Sequence, residues 1–104
     1  VTRLKPSENE IAKQVTEWLD WHHYAWHYVP NRGRFDTGQD KKTKGAPDIV
    51  ICANGLYVAV EFKAQGKKQS GEQEDFQRMI EQKGGGIYVL ARDINDLIPV
   101  LKKY

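Results

Sequence analysis

Residues 45–63 read GAPDIVICANGLYVAVEFK: two apolar runs of strand composition joined at Asn54-Gly55, a dipeptide whose tolerance of positive φ makes it a strong hairpin signal. Antiparallel pairing through that turn sets the start of the first run beside the end of the second, which brings Asp48 within reach of Glu61. Along LYVAVEFK the side chains alternate, with Leu56, Val58, Val60 and Phe62 on one face and Tyr57, Ala59, Glu61 and Lys63 on the other. Asp48, Glu61 and Lys63 are therefore expected to converge at one edge of a sheet. Two adjacent carboxylates repel unless a proton or a cation joins them. Lys63 could serve one of them; a hard divalent cation would serve both, because Mg²⁺ takes one or two carboxylates and keeps water or phosphate oxygens in its other positions. Such a set suits phosphodiester hydrolysis, with the metal lowering the pKa of a bound water and the ammonium of Lys63 orienting that water or stabilising the transition state.

Working outward, SENEIAKQVTEWLDW carries Ile11, Val15, Trp18 and Leu19 at helical spacing, and Ser7 with Glu10 forms a capping box, so a helix is expected from about residue 8 to 20. HHYAWHYV alternates and stops at Pro30, the pattern of a strand. NRGRFDTGQDKKTKGA is polar, basic and glycine-containing, a long loop. Beyond the hairpin, Ser70 and Gln73 form a second capping box that opens the helix GEQEDFQRMIEQK, with Gln73, Phe76, Met79 and Ile80 as its stripe and Gly84–Gly86 as its end. IYVLA is a strand placed beside the hairpin by that helical crossover. Asp93 or Asn95 then caps a terminal helix, whose first turn must contain Pro99. The order helix, three strands, helix, strand, helix predicts an α/β sandwich around a mixed four-stranded sheet (αβββαβα), with residues 1–104 as a single domain.

Composition narrows the function classes. No apolar run approaches the roughly 20 residues of a membrane span, and the opening VTRLKPSENE lacks the apolar core of a secretion signal; the expected location is the cytoplasm. One cysteine, Cys52, has no internal disulfide partner, and its place in DIVICA reads as a buried, inert thiol. Between Pro30 and Ser70 eight Lys or Arg (Arg32, Arg34, Lys41, Lys42, Lys44, Lys63, Lys67, Lys68) stand against four acids (Asp36, Asp40, Asp48, Glu61). That local excess suits a polyanion partner, although for a charge run alone a solvated loop is the simpler reading. His22, His23 and His27 show no metal-ligand spacing and read as surface or strand histidines. The aromatics Trp18, Trp21, Tyr24, Trp26 and Tyr28 read as core or subunit-interface residues.

Pro47-Asp48 followed by Glu61-Phe62-Lys63 resembles the PD-(D/E)xK nuclease signature, and the wider pattern GAPDIVI, VEFK, SGEQEDF and GGGIYVL resembles the virus-type replication-repair nuclease domain, VRR-NUC. The resemblance covers nearly the whole chain. It implies a restriction-endonuclease-like sandwich in which Asp48, Glu61 and the Phe62 carbonyl bind Mg²⁺ or Mn²⁺, Lys63 is the catalytic lysine and Gln73 an active-site residue. The family also uses a glutamate from the first helix. Glu8 continues the stripe of Ile11 and Val15, whereas Glu10 lies round the helix and belongs to the capping box, so Glu8 is the expected ligand. Gln73 reads either as an active-site residue or as the capping partner of Ser70. Small viral members of the family act as homodimers on branched DNA, particularly four-way (Holliday) junctions, and leave 5′-phosphate and 3′-hydroxyl ends. The resemblance thus implies a junction-resolving endonuclease of a bacterial or phage-infected cell, its DNA held by Arg32, Arg34, Lys41, Lys42, Lys44, Lys67 and Lys68. The alternatives are a sequence-specific restriction-type nuclease and a catalytically silent DNA-binding module.

Overall fold

The Ser7–Glu10 box forms as the spacing predicts. In the structure, a computed structural model that describes residues 5–30 and 45–104, Glu10 N donates to Ser7 Oγ at 3.2 Å and Ser7 N donates to Glu10 Oε1 at 3.1 Å. Two otherwise orphaned helix donors are satisfied, and helix α1 (Glu8–Trp21) begins there. Strands β1 (Ala25–Tyr28), β2 (Ile49–Ala53) and β3 (Leu56–Phe62) follow. Helix α2 (Gly71–Arg78), strand β4 (Ile87–Ala91) and helix α3 (Ile98–Lys103) complete the order. The four strands lie in the order β1-β2-β3-β4. The first three are antiparallel neighbours and β4 runs parallel to β3, so the sheet is mixed and the expected αβββαβα arrangement is present.

The hairpin turn carries Asn54 and Gly55 at φ 53° and 82°, the left-handed pair of a type I′ connection that matches strand twist. Strand alternation then divides the interior into two layers. Ile49, Ile51, Ala53, Val58, Val60, Phe62, Val89 and Ala91 pack with Ile11, Val15 and Leu19 of α1 and with Leu97 and Leu101 near α3. On the opposite face Ala59 and Tyr88 pack with Ile80, Phe76 and Leu90.

Four local expectations are revised. Cys52 is exposed rather than buried; it alternates with Ile51 and Ala53, and the uninterrupted apolar composition of DIVICA hid the period of two. The strand expected over HHYAWHYV begins only at Ala25, because His22 and His23 finish α1: His23 sits at φ 62° and its N–H donates to Asp20 O at 3.1 Å. The stripe of the second helix loses Met79, which is exposed; from Met79 to Lys83 the backbone widens into a π-turn, closed by Gly84 N donating to Met79 O at 3.1 Å, and this rotates Met79 out while Ile80 stays in. Neither Asp93 nor Asn95 caps the terminal helix: Asp93 caps a 3₁₀ turn (Ile94–Asp96), its carboxylate accepting from Asn95 N at 2.8 Å, and α3 follows with no side-chain cap and with Pro99 in its first turn.

Within the aromatic segment, Trp18 stacks on Tyr24 with centroids 5.6 Å apart, and Trp26 Nε1 donates to Asp20 Oδ1 at 2.7 Å. Trp18, Tyr24 and Trp26 border the first core layer, while Trp21 is 81% exposed. Among the described residues no helix is long and apolar enough to cross a membrane.

Candidate active site at the end of strand β3

The β2–β3 register ends at Ile49↔Val60, with Asp48 just before β2 and Glu61 just after Val60 at that end of the sheet; by alternation Glu61 is on the face opposite the α1 core. Asp48 N donates to Val60 O at 3.0 Å, and Asp48 O accepts from Val29 N at 2.9 Å, so the residue is clamped between β1 and β3. Its side chain is fixed as well: Oδ2 accepts from Phe62 N at 2.8 Å. Glu61 is 4% exposed, and burying a carboxylate calls for positive charge in contact with it. Lys63 lies two residues along the same face. Its backbone N–H continues the β3–β4 ladder to Ala91 O at 3.0 Å, and its Nζ donates to Gln73 Oε1 at 3.1 Å.

Gln73 unites its two readings. The Oε1 that receives the Lys63 ammonium also accepts from Ser70 N at 2.8 Å, while Gln73 N donates to Ser70 Oγ at 3.2 Å. The cap of α2 is thus the device that aims a polar oxygen at Lys63. Gly45 makes this approach possible. At φ 81°, a Cβ there would stand 2.1 Å from Glu72 O, so only glycine lets the chain entering β2 pass against the first turn of α2.

Glu8 lines a cleft of about 230 Å³ together with Asn9, Ala12, Tyr28, Val29, Asp48 and Phe62. Glu10 is turned away in the capping box, where the Ser7 backbone N–H and then its hydroxyl hold its carboxyl below the usual range. The helix phase therefore places Glu8, and not Glu10, beside Asp48. Lys67 and Lys68 are exposed in the turn after β3, which Lys67 N closes on Ala64 O at 3.1 Å. Arg32, Arg34, Lys41, Lys42 and Lys44 lie outside the described residues. His22, His23 and His27 are exposed, away from this cleft's lining.

Among the described residues no three Asp, Glu, His or Cys side chains form a group able to hold a metal ion by themselves. The oxygen donors at this end of the sheet are the Asp48 and Glu61 carboxylates and the Phe62 carbonyl; Glu8 borders the cleft with Asp48 and Phe62, whose lining does not include Glu61. That chemistry fits a hard cation that keeps much of its water, as Mg²⁺ does, better than a closed protein cage.

Sequence reasoning missed the surroundings of Glu61 on β4. Tyr88, 8% exposed, pairs with Ala59 and shares the face of Glu61. Its hydroxyl receives Gln69 Nε2 at 3.3 Å, and Gln69 also donates to Gln77 Oε1 at 3.1 Å, tying the turn after Lys63 to α2 and to the sheet. Burial pushes the phenol up to about 12 against the lowering effect of Gln69, and the charges of Glu61 and Asp48 add to the rise. Only the parallel β3–β4 register reveals these neighbours.

No family model matches the chain, and no curated protein matches it. Among solved structures, a protein described as "VRR_NUC domain protein" matches 100% of this chain and 90% of its own, with a TM-score of 0.68 and 20% sequence identity. The chain thus shares, over its whole length, the fold of a VRR_NUC domain protein, the resemblance to which Asp48, Glu61 and Lys63 had pointed.

Proposed function

We propose that the protein is a divalent-metal-dependent DNA endonuclease, selective for branched DNA and working as a homodimer. The reading is supported by the position of Asp48, Glu61 and Lys63 at the same end of the β2–β3 hairpin, with Gln73 Oε1 on the Lys63 ammonium. A DNA-binding module would gain nothing from clustered carboxylates facing phosphate. Mg²⁺ or Mn²⁺, held by Asp48, Glu61 and the Phe62 carbonyl with Glu8 across the cleft, would supply Lewis acidity and a more acidic water.

The residues themselves have separable duties. The Phe62 N–H holds the Asp48 carboxylate still, so no reorganisation is needed as charge develops. Gln73 keeps the Lys63 ammonium on the sheet face, where it donates to the attacking water or to a non-bridging phosphate oxygen as negative charge builds on phosphorus. Lys67 and Lys68, on the turn after Lys63, hold the flanking backbone, and Arg32, Arg34, Lys41, Lys42 and Lys44, outside the described residues, add positive charge for the same partner.

Dimerisation is supported by Trp21, exposed at the end of α1, and Tyr28, exposed on the edge strand β1, since exposed aromatics suit a self-complementary two-fold contact. Two cuts related by two-fold symmetry need two sites, and each chain has one. Light scattering tests the assembly and a junction-versus-duplex competition tests the selectivity. A dimer that loses assembly in Trp21→Ala and prefers the junction is expected; a monomer cutting linear duplex as readily as a junction overturns this part of the reading.

A further inference from the structure

The turn after Lys63 is pinned by an arginine that the nuclease signature does not include. Phe62 pairs with Ala91 in the parallel β3–β4 register, and Lys63 N donates to Ala91 O at 3.0 Å. Lys63 and Arg92 are therefore side by side, one position past the strand ends, on the same face by alternation. Neighbouring strands stand about 4.8 Å apart, so two cations begin close together. Arg92 is well anchored: its N–H donates to Asp96 Oδ2 at 2.9 Å, and its Nη1 donates to Ala64 O at 2.9 Å, at the start of the turn that bears Lys67 and Lys68.

That carbonyl is neutral, so the guanidinium is oriented without having its charge cancelled there. Four further N–H groups remain on a planar fork whose shape matches phosphate. Lys63 and Arg92 stand at the start of the turn that carries Lys67 and Lys68, and such a concentration of positive charge favours a polyanion over a neutral ligand.

We propose that Arg92 binds a backbone phosphate of the DNA strand, next to the phosphate at Lys63, so that the end of β4 extends the substrate track beyond the metal site. This rests on the DNA-binding part of the proposed function and not on its catalytic part. Arg92 would also brace the Ala64 turn, a structural task that any donor at that place performs in part. Salt dependence separates the two, because each phosphate contact releases counterions and adds about 0.7 to 0.9 to the slope of log affinity against log salt.

The test is equilibrium binding of a fluorescent oligonucleotide, in EDTA so that no cleavage occurs, over a salt series. Arg92→Gln, which retains an amide donor for Ala64 O, is expected to bind about five- to eightfold more weakly near 0.1 M salt with a slope lower by about 0.7 to 0.9. Arg92→Lys, which retains the charge, should keep the wild-type slope. A glutamine variant with the wild-type slope, or a lysine variant that fails to keep it, overturns the proposal. Wild-type protein with no salt-dependent binding overturns the underlying DNA reading itself, an outcome distinguishable because all three proteins then behave alike.

Discussion

Glu8 and Glu10 are two residues apart and have opposite fates, so they test the assignment of the first helix most sharply. Glu8 borders the cleft with Asp48, while Glu10 closes the capping box. Glu8→Gln should impair metal-dependent cleavage with little loss of stability. Glu10→Ala should cost about 0.5–2 kcal/mol of stability and leave the cleavage rate of folded protein nearly intact. Thermal melts and single-turnover kinetics on both variants check this; an exchange of the two phenotypes would refute the placement. Gln73 offers a similar comparison. Ser70→Ala removes only the cap acceptor, whereas Gln73→Ala removes both the reciprocal cap and the contact with Lys63 Nζ. Both should lower stability by about 1 kcal/mol, but only Gln73→Ala should cut turnover by about tenfold or more. Equal kinetic losses would reduce Gln73 to a cap.

At the scale of elements, the site depends on how closely the entry to β2 can approach α2. Gly45→Ala combines a left-handed φ with a Cβ 2.1 Å from Glu72 O, and should destabilise the fold by about 2 kcal/mol or more while pushing the entry to β2 away from the first turn of α2. Urea midpoints for the variant check the size of the effect; a wild-type midpoint would mean that the approach is looser. Strand β4 supplies a pH-dependent signature. The folded state holds Tyr88 neutral up to about 12, above the ordinary value of 10. Its contribution is therefore whole below about pH 10 and is lost as pH rises from 10 toward 12, when the unfolded chain ionises first. Tyr88→Phe should lose less stability than wild type across that window, as urea midpoints at several alkaline pH values will show; parallel losses would contradict it.

The same scale explains what the sequence made legible. Caps and the Asn54-Gly55 turn are local chemistry, so α1, α2 and the hairpin register could be read directly. The phase of α1 likewise separated Glu8 from Glu10. Cys52, Met79 and His22-His23 were misplaced because composition does not reveal which face a long apolar run buries, where a helix widens into a π-turn, or a left-handed residue at a helix end. Tyr88, Gln69 and Arg92 were silent because their relation to Glu61 and Lys63 is created by a parallel pairing between strands separated by a whole helix.

For the molecule as a whole, the mixed sheet is a scaffold with a division of labour. One face is sealed by α1 and α3 over the larger core. The other is only partly covered by α2 and the π-turn, and toward the end of β3 it carries Glu61 and Lys63, while Asp48 at the entry to β2 lines a cleft with Glu8 of α1. The parallel addition of β4 widens that end with Arg92 and with the turn bearing Lys67 and Lys68. The candidate site residues thus stand at strand ends, where the ladder holds them still, and Lys67 and Lys68 stand on a turn.

The central claim is that Asp48 and Glu61 use a divalent cation, with Lys63, to hydrolyse DNA. Its most direct test is cleavage of an end-labelled panel of duplex, single-stranded, flap, fork and four-way-junction DNAs by wild type, Asp48→Asn, Glu61→Gln and Lys63→Ala, each with Mg²⁺ and with EDTA. The account predicts cleavage by wild type in Mg²⁺ alone, strongest on the junction, with each variant slowed by at least about 100-fold while still binding DNA. Cleavage that persists in EDTA, or variants that cut at near the wild-type rate, would contradict it.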